Sequence, residues 1–284
     1  MKKFRLLSCI KPCDYGGKKM FDTEQEYKGK TYKFDIDSSP QVFLLFDKIY
    51  PSSIKEKYCV SNPKFFRFLS VKEYIDAPQD NAINRLFAVS NNISAKGTIR
   101  INDQVYELYN AVERLSGDCF YNFNNKKFSV LKSIEGIDED KLRKCIRMHH
   151  SIYNLVLLQT MGNMQMRKQL GLKLSDNMYE KLDRGDTFLY LLDCFYKNVN
   201  EEILTASTKT NRNILKRYLK SNFNNVYDYA EQMLQINDKN FIDRLIENGN
   251  QKLDSSNVNQ FLDLALEFWN KRRMNIEPKI NRYF

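Results

Sequence analysis

From Asp138 to Met166 the chain holds no proline and one glycine, Gly162. Nothing in this stretch interrupts a helix, and apolar residues recur at helical spacing through Leu142, Cys145, Ile146, Tyr153, Val156 and Leu157. Asp138 stands where an N-cap belongs, with Lys141 three residues on. Glu139 and Asp140 follow in the first turn, where the helix dipole favours acids. The pattern predicts a helix from about 139 through 166. Ser175 or Asp176 is expected to cap the next helix, which runs to about 197. Shorter helices are expected near 211–221, 223–236 and 239–248. A last one starts at Ser255 and Ser256 and buries Phe261, Leu264, Ala265, Phe268 and Trp269; Pro278 is expected to stop it.

The part before Gly136 reads differently. Residues 30–37 and 97–102 alternate polar and apolar, as half-buried strands do. Residues 41–50 are mostly apolar and suit a buried strand or a short helix. Pro63 opens a stretch in which Phe65, Phe68 and Leu69 fit one helix. Residues 105–115 read as a helix closed by Gly117, and 120–131 as a hairpin turning at Asn124 and Asn125. The expected class is therefore α+β. Residues 1–135 form a mixed part with short strands and 136–284 a mostly helical part, either as two domains or as one continuous domain. With 284 residues and 42% apolar side chains, the chain can bury a sizeable core.

The formal charge is +10. The excess lies in two blocks, 1–70 and 141–220, the latter with 15 basic and 7 acidic residues. A basic block favours polyanionic partners, nucleic acid first among them. An AT-rich coding bias, with its abundant Lys, Asn, Ile, Tyr and Phe, produces the same balance without any function. Six dispersed cysteines, with no Cys-x-x-Cys pair and only two histidines, point to a reduced compartment and argue against structural zinc. No metal or cofactor is expected. The N-terminal apolar run is too short for a signal peptide, and no apolar run, 155–158 included, is long enough to cross a bilayer. A cytoplasmic protein without a membrane partner is expected. Walker A, Rossmann, nucleophile-elbow and zincin patterns are all missing.

The most informative stretch is 143–150. Arg143, Arg147 and His150 stand at i, i+4 and i+7, and Asn154 continues their helical stripe. An imidazole beside two guanidiniums is a kit for metal-free RNA cleavage: arginine holds the scissile phosphate and histidine moves a proton. His149 and His150 are the only candidates for that proton transfer. Arg143 with His149 or His150 resembles the Arg-x(4–6)-His motif of HEPN-type ribonucleases, whose motif sits on a helix of an all-helical bundle. The resemblance covers about eight residues, and Lys144 stands where that family often has a small polar residue. It implies Arg143, His149 and His150 as catalytic. The other reading of the same stretch is a solvated basic helix face.

Asp183, Asp186 and Asp193 also share a helical stripe. They suit Mg²⁺, or more simply surface ion pairs with Lys181, Arg184 and Lys197. Lys64, Arg67 and their neighbouring phenylalanines interleave cations with aromatics, but the aromatics fall at core spacing. Residues 209–220 are the better phosphate-contact candidate, through Arg212, Lys216, Arg217 and Lys220, joined by Arg143 and Arg147. Lys271, Arg272 and Arg273 suit the negative end of the last helix dipole and need no function.

Residues 150–236 resemble a bacterial family without an assigned activity. The resemblance rests on 155–161 with Gly162, on Leu182, Asp183, Arg184 and Asp186, on 191–196, and on an ILKRY-like helix at 214–218. It implies a cytosolic bacterial or phage-carried protein with a helical C-terminal part, suited to phage defence or counter-defence, and transfers no catalytic residue. Three functions are carried forward. The leading one is a nucleic-acid- or nucleoprotein-associated accessory protein, RNA before DNA. The others are a HEPN-like endoribonuclease and a non-enzymatic protein-interaction or inhibitor module.

Overall fold

In the computed structural model, the structure is described for residues 23–27, 30–34, 94–101, 104–114, 118–120, 130–149, 151–159, 172–175, 178–180, 182–199 and 209–283. Antiparallel strands β1 (Thr23–Tyr27) and β2 (Lys30–Phe34) pair as a hairpin. Strands β3 (Ser94–Ile101), β4 (Gln104–Arg114) and β5 (Leu155–Gln159) form an antiparallel ladder in that order. The alternating segments 30–37 and 97–102 thus overlap strands. The helix expected at 105–115 is instead β4: Val105, Leu108 and Val112 fit a helical stripe, but the segment pairs with β3 on one edge and β5 on the other. The 41–50 run and the 64–76 helix lie outside the described residues, as does the turn at Asn124 and Asn125. Both described ends of the expected 120–131 hairpin are 3₁₀ turns, Asp118–Phe120 and Val130–Ser133.

The C-terminal part is mostly helical, as expected: α1 (Glu139–Met148), α2 (Gly185–Tyr196), α3 (Lys209–Asn222), α4 (Val226–Tyr229), α5 (Lys239–Gly249) and α6 (Val258–Tyr283). A π-turn, Ala230–Leu234, extends α4 and ends at Gln235 with φ +59°. The entry to α1 follows the sequence closely. Gly136 takes φ +75°, where a side chain would strain the backbone. The Asp138 carboxylate accepts from the Lys141 amide at 3.0 Å. Asn259 on α6 accepts from the Asp138 amide at 2.8 Å and donates to the Gly136 carbonyl at 2.9 Å, which docks this entry on the last helix.

The predicted continuation of α1 to Met166 does not occur. Three polar side chains take the carbonyls that another helical turn would use. His149 Nδ1 donates to the Ile146 carbonyl at 2.6 Å, the Ser151 hydroxyl to Met148 at 2.7 Å, and Asn154 Nδ2 to the His149 carbonyl at 2.6 Å. The chain then enters β5. The next helix also starts later than expected: β6 (Leu172–Ser175) and β7 (Met178–Glu180) pair across the proposed cap, and α2 opens at Gly185. Pro278 does not stop α6, which runs through it. Pro278 lies on the exposed side, where water can hydrate the carbonyl four residues back. On the inner side, Ile276 is buried and Tyr153 donates to Glu277 at 2.9 Å.

The core centres on Phe120. It stacks on Phe261 at 5.7 Å and meets Trp269, the chain's one tryptophan, edge-on at 5.5 Å. Leu142 and Cys145 turn inward from α1, with the Cys145 thiol donating to the Leu262 carbonyl at 3.6 Å. Burial holds that thiol far above its usual pKa, so it is an inert core group.

Beside this core lies a buried ion pair. Arg184 donates to both carboxylate oxygens of Asp186, at 3.1 and 2.6 Å. It also reaches the carbonyls of Asn248 at 3.0 Å and Gln251 at 2.5 Å, at the end of α5. Asn248 Nδ2 donates to Asp186 at 2.7 Å, and Thr187 donates to the Gly249 carbonyl at 3.2 Å. The guanidinium therefore serves as the C-terminal cap of α5 as well as the partner of Asp186. Gly249 is required for this closeness: a Cβ there would fall 2.2 Å from the Asp186 carbonyl oxygen.

Arg184→Met leaves the Asp186 carboxylate charged and buried, and is expected to cost about 3–5 kcal/mol. Urea unfolding followed by Trp269 fluorescence measures it. At the surface, Lys271 holds Asp238 at 2.7 Å, which lowers the Asp238 pKa below its ordinary 3.8 and raises that of Lys271 above 10.5. The depressed carboxylate contributes stability that is present above pH 3.8 and fades as pH falls through its folded value; the lysine's share is lost only as pH rises through its raised value. Asp238→Asn is expected to flatten the acid limb of a melting-temperature-against-pH curve and leave the region between these limits level.

Candidate functional site

Helix α1 separates the residues that the Arg-x-His spacing grouped together. Its outer face carries Glu139, Asp140, Arg143, Lys144 and Arg147, all exposed. Arg143 is held at 3.2 Å by Glu139, one turn back, with the arginine side chain 69% exposed. His149 has no exposure. Its ring lies 5.9 Å from that of Phe120, and its Nδ1 proton is engaged with the Ile146 carbonyl. Asn154, expected on the same stripe, is also fully buried. One member of the expected catalytic pair thus faces water while His149 closes the helix from inside. His150 lies outside the described residues.

The physical reason is the early end of α1. A stripe drawn at 100° per residue assumes a continuous helix through 154, whereas the chain leaves the helix at Met148 and turns His149, Ser151 and Asn154 back over its last carbonyls. No sequence signal at Arg143 or Arg147 betrays this. The polar cluster 149–154 did carry a capping signal, which its position inside an apolar periodicity concealed.

The aspartate row is likewise redistributed. Asp186 is inside, tied to Arg184, rather than in a surface pair. Asp183 is buried too. Asp193 is bridged by Lys197 at 2.7 Å, one turn on, and this hydrogen bond raises the lysine pKa. Among the described residues, no group of three His, Cys, Asp or Glu side chains is placed to hold a metal ion.

On α3, Arg217 and Lys220 are exposed and Lys216 is half-buried. The Lys220 ammonium lies 5.6 Å above the Phe195 ring, so its stem covers the core edge while its head stays wet. Arg212 is on the same helix, with its side chain outside the described set. Among the described residues, an open cleft is lined by Asn225, Tyr227, Asp228, Glu231, Asp238 and Lys239, among others. Its acids are engaged internally: Asp228 accepts from Asn224 and Gln232, Glu231 from Asn237, and Asp238 from Lys271.

Among the described residues, no helix is long and apolar enough to cross a membrane. Comparison with protein-family models, curated proteins and solved structures finds no match.

The different placements of His149 and Arg143 have measurable consequences. His149→Ala removes a helix cap and a core ring together and is expected to destabilise by about 2 kcal/mol. Arg143→Ala breaks one exposed pair and should leave the urea midpoint unchanged. Equal losses in the two variants would contradict this division between inner and outer faces.

Proposed function

We propose that this chain is a nucleic-acid-associated accessory protein that holds RNA, alone or in a nucleoprotein, through exposed cations on helices rather than through a catalytic centre. The observation that carries the reading is on α1. Lys144 and Arg147 project from its exposed face and make no ion pair among the described residues, while the opposite face is packed on α6. Cations left unneutralised on a rigid helix contact phosphates without further ordering and release counterions when they do. Arg217 and Lys220 supply a second basic helical surface. The inward position of His149 turns the reading from cleavage to binding. Within the same proposal belong an α+β chain with a mixed N-terminal part, a cytoplasmic location, and a bacterial or phage setting in defence or counter-defence.

Fluorescence anisotropy with a labelled single-stranded RNA, at about 50 and about 200 mM salt, tests it. The wild type is expected to bind more weakly at the higher salt. Replacing Lys144 and Arg147 together by alanine should reduce the log–log salt slope by about 1.4, two contacts at roughly 0.7 each. Absence of binding at both salts, or affinity indifferent to salt, overturns the proposal.

A further inference from the structure

Two cations from separate elements converge on one carboxylate beside the proposed binding face. Lys132 comes from the 3₁₀ turn Val130–Ser133, and Arg143 from the second turn of α1. They approach opposite oxygens of Glu139, Lys132 Nζ at 3.4 Å from Oε1 and Arg143 at 3.2 Å from Oε2. We propose that Lys132 and Arg143 form a seat for one phosphate of a polyanion, and that Glu139 fills this seat in the free protein. The inference rests on the nucleic-acid reading above and deepens it.

The geometry is that of an anion held between two positive groups, with a carboxylate where a phosphate's oxygens would lie. Two observations make the carboxylate replaceable. Both contacts are longer than the 2.7–2.9 Å typical of strong charge-assisted bonds. Lys132, Glu139 and Arg143 are 39%, 49% and 69% exposed, so water and salt compete for each of them. By contrast, the Arg184–Asp186 pair closes at 2.6 Å with almost no exposure and is built to stay shut. The two cations also pull the Glu139 carboxyl below its ordinary pKa, Arg143 most of all, so the seat is filled by a full negative charge at neutral pH.

An internal competitor of this kind selects for polymers. A free phosphate must displace Glu139 by itself. A nucleic-acid strand already held by Lys144 and Arg147 presents its next phosphate at high local concentration, and the exchange then proceeds within the complex. The Glu139 side chain keeps the first turn of α1 and remains near the positive end of the helix after displacement.

The test is Glu139→Gln, read with the same labelled single-stranded RNA. Removing the negative charge between the two cations should tighten binding about threefold to fivefold and steepen the salt slope by up to about 1.4. Glu135→Gln, an exposed acid that makes the same change in net charge, serves as the comparison. It should give less than half of that gain. Adding Arg143→Ala to Glu139→Gln should return affinity to the wild-type level or below. Matched melting curves establish that each variant is folded. If the wild type binds RNA and Glu139→Gln is unchanged, or Glu135→Gln tightens binding equally, the seat is disproved while the binding function stands. If no variant binds RNA, the binding function fails and the seat fails with it.

Discussion

Arg184 has no access to water, yet it carries a full charge in a part of the molecule made mostly of leucine and aromatic rings. Such a group is tolerable only if every direction it can donate in is met. Asp186 supplies two acceptors, and the end of α5 supplies two backbone carbonyls. The ring of Phe261 lies 5.2 Å beneath the guanidinium. These demands reach far beyond one pair. They fix where α2 begins, require α5 to end at Gly249, and press α6 against both. The hydrophobic contacts of Leu189, Leu192, Leu245 and Phe261 provide the bulk driving force, but nondirectional burial would tolerate many rotations of α2 against α5.

A similar economy governs α1. Its entry and exit are both settled by short polar side chains within a few residues of the helix ends. Asp138 and Asn259 close the start; His149, Ser151 and Asn154 close the finish. The outer face is thereby relieved of structural duty and free to carry charge. The residues from 143 to 149 are divided between two faces, with Arg143 and Arg147 turned outward and the His149 imidazole turned inward to close the helix.

This division marks the limit of what the residues disclose by themselves. The Asp138 cap was legible because an acidic N-cap acts on atoms three residues away. The helices at 211–221 and 239–248 were legible because their apolar periodicity is uninterrupted. Features that depend on distant partners were not. A histidine inside an apolar repeat gives no sign that it will cap rather than continue the helix. Residues 105–115 satisfy a helical stripe, and only pairing on both edges makes them a strand. Asp186 looked like one acid in a row because the groups that complete its cluster lie more than 60 residues away: Asn248 on its carboxylate, the Gly249 carbonyl on Thr187 and the Gln251 carbonyl on Arg184. Of the candidate interface, the identity of the cations could be read from composition, whereas the carboxylate between Lys132 and Arg143 could not.

Four contacts tie α1, β5 and the turn between them across the chain to α6. Asp138 meets Asn259, Cys145 meets Leu262, the Leu155 carbonyl accepts from Arg272, and Tyr153 meets Glu277. During synthesis, these groups on α1 and β5 therefore emerge more than a hundred residues before their partners on α6. Until the 258–277 stretch has left the ribosome, the sides of Leu142, Cys145 and Leu155 that α6 covers remain wet, and holding those groups apart from other nascent chains falls to chaperones or to speed.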